Sequence, residues 1–315
     1  MNKQEYQELR SHIDLKKKWQ PLVQYYFAEA CLLGLCAYFM NRESMFFCIP
    51  LISVLMFRNF SLMHDAVHGA VANNKTLNNF IGHWSGMLSL LPYTAWKESH
   101  LQHHFWSGNI HKDPVMALRI SLPKASPATQ KIIRATWKAW IPLLALLQYS
   151  LFWSLALNHA IKSRSFKNWC SVIAPLAAWT IALSFSPEGF LTKAFLPGLG
   201  LYLLAVEVVN FPHHLGMPFL TENERAPAWE QHKTARTCIY PKWFARHVVL
   251  NFNFHTEHHM FPDAPWYTLE VIHEKLQQTL GNKQNVDILF KWTKENRPLD
   301  IIDVISKSEE QKKAA

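Results

Sequence analysis

The 315-residue chain lacks several signatures that would have classified it quickly. Its five cysteines contain no CxxC pair, and Cys31, Cys36, Cys48 and Cys170 fall inside apolar runs while Cys238 stands apart. They read as small core residues, with neither a disulfide framework nor a thiolate metal site expected. No Arg-rich stretch with interleaved aromatics points to nucleic acid. The first 20 residues are polar and basic without an apolar core, so no cleavable signal peptide is expected. Repeats and low-complexity linkers are absent, and the chain reads as one domain over residues 1–315. There is no GxGxxG after a strand, no flavin signature and no HPGG-like haem segment.

What is present is a mixture. Hydrophobic residues make up 49% of the chain, yet the mean hydropathy is −0.07, far too low for a protein made almost entirely of spans. A few spans carrying a large water-facing portion fit both values. Residues 22–40 and 45–63 each approach the roughly 20 residues needed to cross a bilayer. Only NRES joins them, which predicts an antiparallel hairpin. The net charge of +9 comes largely from flanks such as LKKKWQ (15–20) and the terminal KKAA. Basic flanks mark the cytoplasmic face, so the second helix returns to the cytoplasm at His64.

Residues 78–95 form a weaker apolar segment, read as an interfacial or re-entrant helix. Three further apolar runs follow at 140–158, 169–187 and 190–209. The linker at 159–168 carries Lys162, Arg164 and Lys167 and stays cytoplasmic by the same rule. Residues 140–158 then lie along the membrane, and the last two runs make a second hairpin. The expected fold is all-α: an integral membrane protein with about four transmembrane helices in two hairpins, interfacial helices, and a cytoplasmic helical cap.

Histidine is the conspicuous residue, with 17 in the chain. HDAVHG supplies His64 and His68; HLQHH supplies His100, His103 and His104; HTEHH supplies His255, His258 and His259. NFPHH adds Asn210, His213 and His214. The spacings within each of the three clusters are i, i+3 or i+4, so on a helix the imidazoles share one side. An isolated HxxxH is more often an ordinary pair of histidines than a metal site. Eight histidines in three helix-phased clusters at one membrane face are hard to assign to chance. The absence of thiolate argues against structural zinc and iron–sulfur clusters. Imidazole alone does not choose among Zn, Cu, Fe and Ni, but eight or nine ligands suffice for two ions with positions left open. Asp65, Glu98 and Glu257 are candidates to accept the second ring N–H of ligands, and Asp113 in NIHKDP is a further candidate for such a supporting role.

HDAVHG, HLQHH and HTEHHMFP resemble the three histidine boxes of the membrane fatty acid desaturase and hydroxylase superfamily. The resemblance covers roughly residues 40–275: the order of the boxes, the hairpin before the first, the two-span gap before the third, and the run HHMFPDAPWYTL. It departs at Lys97, where the family commonly has Arg before the second box. It implies a di-iron centre, O2 activation and an acyl or lipid-like substrate. By the same resemblance His64, His68, His100, His103, His104, His255, His258 and His259 are ligands, His214 is a further one, and Asn210 acts through a water. Rival readings within the superfamily are a carotenoid ketolase or hydroxylase and a fatty acid hydroxylase or terminal-alkene-forming enzyme.

From another class, a membrane metal transporter would place its ligands at the membrane midplane, whereas these clusters lie at or beyond span ends. Removing hydrogen from a methylene needs an oxidant no side chain supplies, so the cofactor carries that chemistry. A separate electron donor, a ferredoxin, rubredoxin or cytochrome with its reductase, is implied. The basic residues Arg236, Lys242 and Arg246 are candidates for its docking. Trp84, Trp96 and Trp266 are candidates for a substrate channel. The expected location is the inner membrane of a bacterium, with the metal site on the cytoplasmic side.

Overall fold

In the computed structural model, described here for residues 1–306 except Arg42 and Glu222, helices dominate. The terminal KKAA lies outside the described residues. An N-terminal helix α1 (Lys3–Ser11) precedes α2 (Trp19–Met40) and α3 (Cys48–Val67), which form the first hairpin. Next come α4 (Lys75–Leu88), α5 (Tyr93–Trp106), the short α6 (Ala117–Ser121), α7 (Pro127–Lys138), α8 (Leu143–Ser163), α9 (Phe166–Ser184) and α10 (Leu196–Val209). The C-terminal third holds α11 (Lys242–His247), α12 (His255–Met260), α13 (Leu269–Leu280), α14 (Lys291–Asn296) and α15 (Ile301–Ser306). Two three-residue strands, β1 (Thr237–Ile239) and β2 (Val286–Ile288), pair in parallel with Cys238 opposite Asp287.

Among the described residues three helical segments are long and apolar enough to cross a membrane: Trp19–Met40, Met45–Val67 and Leu191–His213. A fourth is reached when α7 and α8, bent by 119°, count as one broken span. The all-α membrane architecture is therefore as the sequence predicts, but the fourth member differs. Residues 169–187, expected to cross, fall largely in the 19-residue α9, which ends at Ser184 and is not among the helices apolar enough to qualify. Lys167 and Asn168 in its first turn dilute it. The weak segment at 78–95 is split: Leu90 at φ 54° turns the chain, leaving α4 and α5 as 14-residue helices of about 21 Å each, too short for a ~30 Å core.

α3 is the central helix, buried almost continuously from Leu55 to Val67 between α2, α4 and α10. Two polar residues on it, Arg58 and Asn59, are buried against Glu29 of α2: Arg58 Nε donates to Glu29 Oε1 at 2.5 Å and Asn59 Nδ2 to Glu29 Oε2 at 2.7 Å. Paired charges of this kind fix the register of two packed helices, since either alone would be a costly buried ion. An aromatic core of Phe57, Phe60, Trp96, Tyr202 and Phe252 fills the space below the histidines.

The α7–α8 bend is held at both ends. Arg297 donates from Nη1 to Trp137 O at 2.9 Å, meeting a carbonyl in the last turn of α7, and from Nη2 to Glu207 Oε2 at 2.8 Å. Glu207 in turn accepts from Ala145 N, in the first turn of α8, at 3.1 Å. The helix ends on either side of the bend, each with unpaired backbone groups, are thus satisfied by one buried ion pair.

Candidate metal centre

Each histidine is positioned by an identifiable local device. α3 carries His64 in its last turn and stops with His68 as C-cap, because Gly69 at φ 69° takes the left-handed conformation that ends a helix. α5 carries His100, His103 and His104 on one helix, and α12 carries His255, His258 and His259. His214 closes a one-turn 3-10 segment over Phe211–His213 that continues from α10.

These elements bring nine histidines together in two groups. His64, His68, His100, His104 and His258 form one, and His103, His214, His255 and His259 the other; within each, one ring nitrogen per residue lies within 4.8 Å of all the rest. The pairs at i, i+4 stay together (His64 with His68, His100 with His104, His255 with His259), whereas His103 and His258 cross to the opposite group. With 3.6 residues per turn, i+4 returns to within about 40° of i and i+3 falls about 60° short, so α5 and α12 each present ligands to both groups, while α3 serves only the first. The groups share a wall where His104 stacks on His259, ring centroids 4.1 Å apart.

The proton positions decide what such a cluster needs. His214 Nδ1 donates to Thr234 O at 3.0 Å, His103 Nδ1 to Asp113 Oδ1 at 2.8 Å, and His259 Nδ1 to Gln231 Oε1 at 2.8 Å. A neutral imidazole has one proton, so Nε2 of all three is a bare lone pair. Yet Nε2 of His103 lies 3.1 Å from that of His214 and 3.2 Å from that of His259. His255 Nε2 approaches His214 at 2.8 Å and His259 at 3.1 Å, and can donate to only one of them. Protonating the rings would relieve the repulsion, but burial opposes it: desolvation, then neighbouring imidazoles, hold His214, His255 and His259 well below the ordinary histidine range. Converging lone pairs on neutral, buried imidazoles call for a cation. In the other group burial does the same to His100, His104 and His258 and pushes His68 down to about 3. There His64 Nε2 is buried with no hydrogen-bond partner. The donor set, nine imidazole nitrogens without thiolate, fits iron as well as other borderline transition metals.

The remaining predicted residues divide. Asp113 also accepts from Gly108 N at 2.9 Å, so one carboxylate ties the loop after α5 to His103. Asp65 has Oδ1 at 3.3 Å from His64 Nδ1 and accepts the Trp266 N–H at 3.0 Å. Asn210 lines the same cleft as His214. Glu98 instead pairs with His159 at 3.2 Å on the partly exposed side of α5. Glu257 faces away from its neighbouring ligands: it accepts from Thr237 Oγ1 at 2.6 Å and Gln284 Nε2 at 2.5 Å, and meets His273 Nδ1 at 2.5 Å. Being at i+2 from His255, it is turned to the far side of α12.

Trp96 stacks on His100 at 4.5 Å and lines the cleft. Trp84 is 45% exposed in a separate apolar groove with Trp19 and Phe80. Trp266 is buried against Leu62 and Leu250 and does not reach the cleft. Of the candidate docking residues Arg236 is withdrawn from the surface, whereas Lys242 and Arg246 stay exposed. Arg236 is buried, with Nη1 on Pro212 O and, at 3.0 Å, on Leu215 O, while Lys242 and Arg246 both pair with Glu270.

Sequence reasoning passed over Gln231 and Thr234. Gln231 also donates Nε2 to His104 O at 2.9 Å, linking the two groups through one amide. Neither residue has a histidine spacing to betray it. Beside the centre a cleft runs between α5, α8 and α10, lined by Phe60, Trp96, Tyr149, Phe152 and Phe211 as well as by His64, His100, His103, His214 and His255.

A helical membrane protein with a buried, all-histidine metal centre opening on an apolar cleft is the class these features define. Residues 44–288 match the family described as fatty acid desaturase, and the chain belongs to that family. It is 24% identical to an sn-1 oleoyl-lipid 12-desaturase of Anabaena variabilis, over 74% of this chain and 69% of that one. An endoplasmic-reticulum omega-3 fatty acid desaturase of Vigna radiata var. radiata is 25% identical over 70% of this chain and 62% of its own. An sn-1 acyl-lipid omega-3 desaturase (ferredoxin) of Synechocystis sp. is 26% identical over 70% and 64% respectively. The matched stretch thus spans about two thirds of the length of these curated relatives.

Proposed function

We propose that this chain is a membrane-bound, O2-dependent oxidoreductase that introduces a double bond into the acyl chain of a lipid. The observation that carries the reading is the convergence of Nε2 lone pairs from His103, His214 and His259 at 3.1–3.2 Å, beside a cleft walled by aromatic side chains. Family membership supports desaturation as the reaction, and the names of the relatives support an acyl-lipid substrate.

Two iron ions would be held, one by His64, His68, His100, His104 and His258, the other by His103, His214, His255 and His259, with Asn210 acting through a water. Bound iron would supply, from O2 and two external electrons, the one-electron oxidising power that an unactivated methylene requires. The chain's own part is positioning. Asp113, Thr234 and Gln231 hold ligand rings by their second nitrogens, as outer partners of metal-bound histidines do. The cleft has the mostly apolar lining of a ligand site. Its wall of Phe60, Trp96 and Phe152 excludes water and lays an extended chain against the histidines. The electrons come from a separate carrier; the ferredoxin in the name of one relative supports a ferredoxin. The metal face is cytoplasmic, in the inner membrane of a bacterium.

Expression in a host whose own desaturases are deleted tests the reading. Fatty acids released from its lipids should contain a new double bond that depends on His258 and on iron in the medium. Accumulation of a hydroxylated chain without unsaturation, or an unchanged lipid profile with the iron-loaded protein in the membrane, would overturn it.

A further inference from the structure

A second cavity lies between α4, α5 and α9, apart from the metal cleft. Leu91, Tyr93, Phe166, Ala174 and Pro175 give it an apolar wall, and His83 and Lys167 are at its polar end. The charge around it is of one sign. Lys97 reaches over the Tyr93 ring, Nζ 5.6 Å from the centroid, and donates to Asn79 Oδ1 at 2.8 Å. Burial, then Lys167 and Lys75, lower the Lys97 pKa; burial, then Lys167 and Lys97, lower that of His83. The three lysines are near enough to repel one another and to keep the His83 ring neutral, and no carboxylate lines the cavity.

Two further features point to a missing anionic or acceptor group. The first turn of α9 borders the cavity through Phe166, Lys167 and Cys170, and its N-cap, Ser165, makes no side-chain capping bond. Unpaired amides at a helix start favour an anion. Tyr93, 3% exposed, has a hydroxyl with no hydrogen-bond partner among the described residues. The surroundings are interfacial: Phe166 is 84% exposed and Trp169 36% exposed, as aromatics at headgroup level are.

We infer that this cavity binds an anionic phospholipid, the phosphodiester against Lys167, Lys97 and the start of α9, and one acyl chain along Leu91, Phe166 and Pro175. The cluster of Lys167, Lys97 and Lys75 is what separates it from an ordinary lipid-facing crevice, since a zwitterionic headgroup would leave the cluster uncompensated. Basic pockets between helices on the cytoplasmic side recognise anionic headgroups by this means. The lipid here is a ligand of the protein, distinct from the chain presented to the metal cleft.

The test uses the full-length protein, delipidated in detergent and titrated with phosphatidylglycerol or with phosphatidylcholine of the same chains, bound lipid being counted by native mass spectrometry. Phosphatidylglycerol should bind at least about tenfold more tightly, and Lys167→Gln and Lys97→Gln should each weaken it about fivefold, as one cation near an anionic surface does. Lys167 is exposed, so its replacement leaves the fold intact, and Lys275→Gln on α13 should bind like the parent. Equal binding of the two lipids, unchanged binding by Lys167→Gln, or an equal loss in Lys275→Gln would overturn the inference. Competition by inorganic phosphate at the same concentration as the lipid would overturn the lipid as the ligand and leave a free-anion site.

Discussion

His213 lies flat against His255, ring centroids 4.2 Å apart and planes inclined by 12°, while the next residue brings Nε2 of His214 to 2.8 Å from His255 Nε2. Neighbours in sequence therefore have different work: His213 backs a ligand ring, and His214 points at the metal space. His214→Ala should lose iron from the four-histidine group and abolish turnover. His213→Ala should keep both irons and substantial activity with a lower Tm. Iron counted per chain in the two variants checks this, and the reverse pattern would exchange the two roles.

Gln231 holds His259 by Oε1 and the His104 carbonyl by Nε2. Its replacement by Leu removes both bonds without adding charge, and loss of such an outer partner weakens metal binding by about 10–100-fold. Iron in Gln231→Leu should pass correspondingly faster to a chelator. Gln231→Glu, which keeps an acceptor for His259, should fall between Leu and the parent. A Leu variant as retentive as the parent would remove Gln231 from the ligand support.

Arg297 and Glu207 are buried, 2.8 Å apart. Breaking a buried pair strands the remaining charge, at a cost of about 3–5 kcal/mol. Arg297→Met should therefore lower Tm strongly, whereas Arg297→Met with Glu207→Gln should recover much of the loss. Thermal unfolding of the single and double variants in one detergent measures the difference. Equal Tm values for the two would mean that Glu207 is not left stranded.

Membrane sidedness can be read with single cysteines. Lys112, exposed on the loop that follows the second histidine cluster, and Glu188, exposed between α9 and the last span, should react with an impermeant thiol reagent from opposite faces of inverted vesicles. Ser107 is unsuitable, being buried with its hydroxyl 3.1 Å from Thr234 Oγ1. Labelling of both positions from one face would mean no net crossing between residues 112 and 188, so that the bent α7–α8 pair would not be the fourth span.

The local order of this protein is written in its sequence. A spacing of three or four residues puts His100, His103 and His104 along one helix because the α-helical repeat leaves no other arrangement. Apolar runs of about 20 residues make α2 and α3 span-length for the same kind of short-range reason. The histidine boxes, and through them the family, are legible before any coordinates.

What the tertiary structure decided is everything that depends on rotation and on partners far along the chain. His103 and His104 are adjacent, yet about 100° of helical rotation sends them to different groups, and only the packing of α5 against α3 and α12 says which. Glu257 sits inside a histidine cluster but faces His273 and Gln284, while Gln231, outside every cluster, reaches His259. Arg236 reads as a surface cation and is buried on backbone carbonyls. Periodicity fixes which side of its own helix a residue occupies. It carries no information about what the fold brings to that side, because those partners come from segments 20 to 160 residues away.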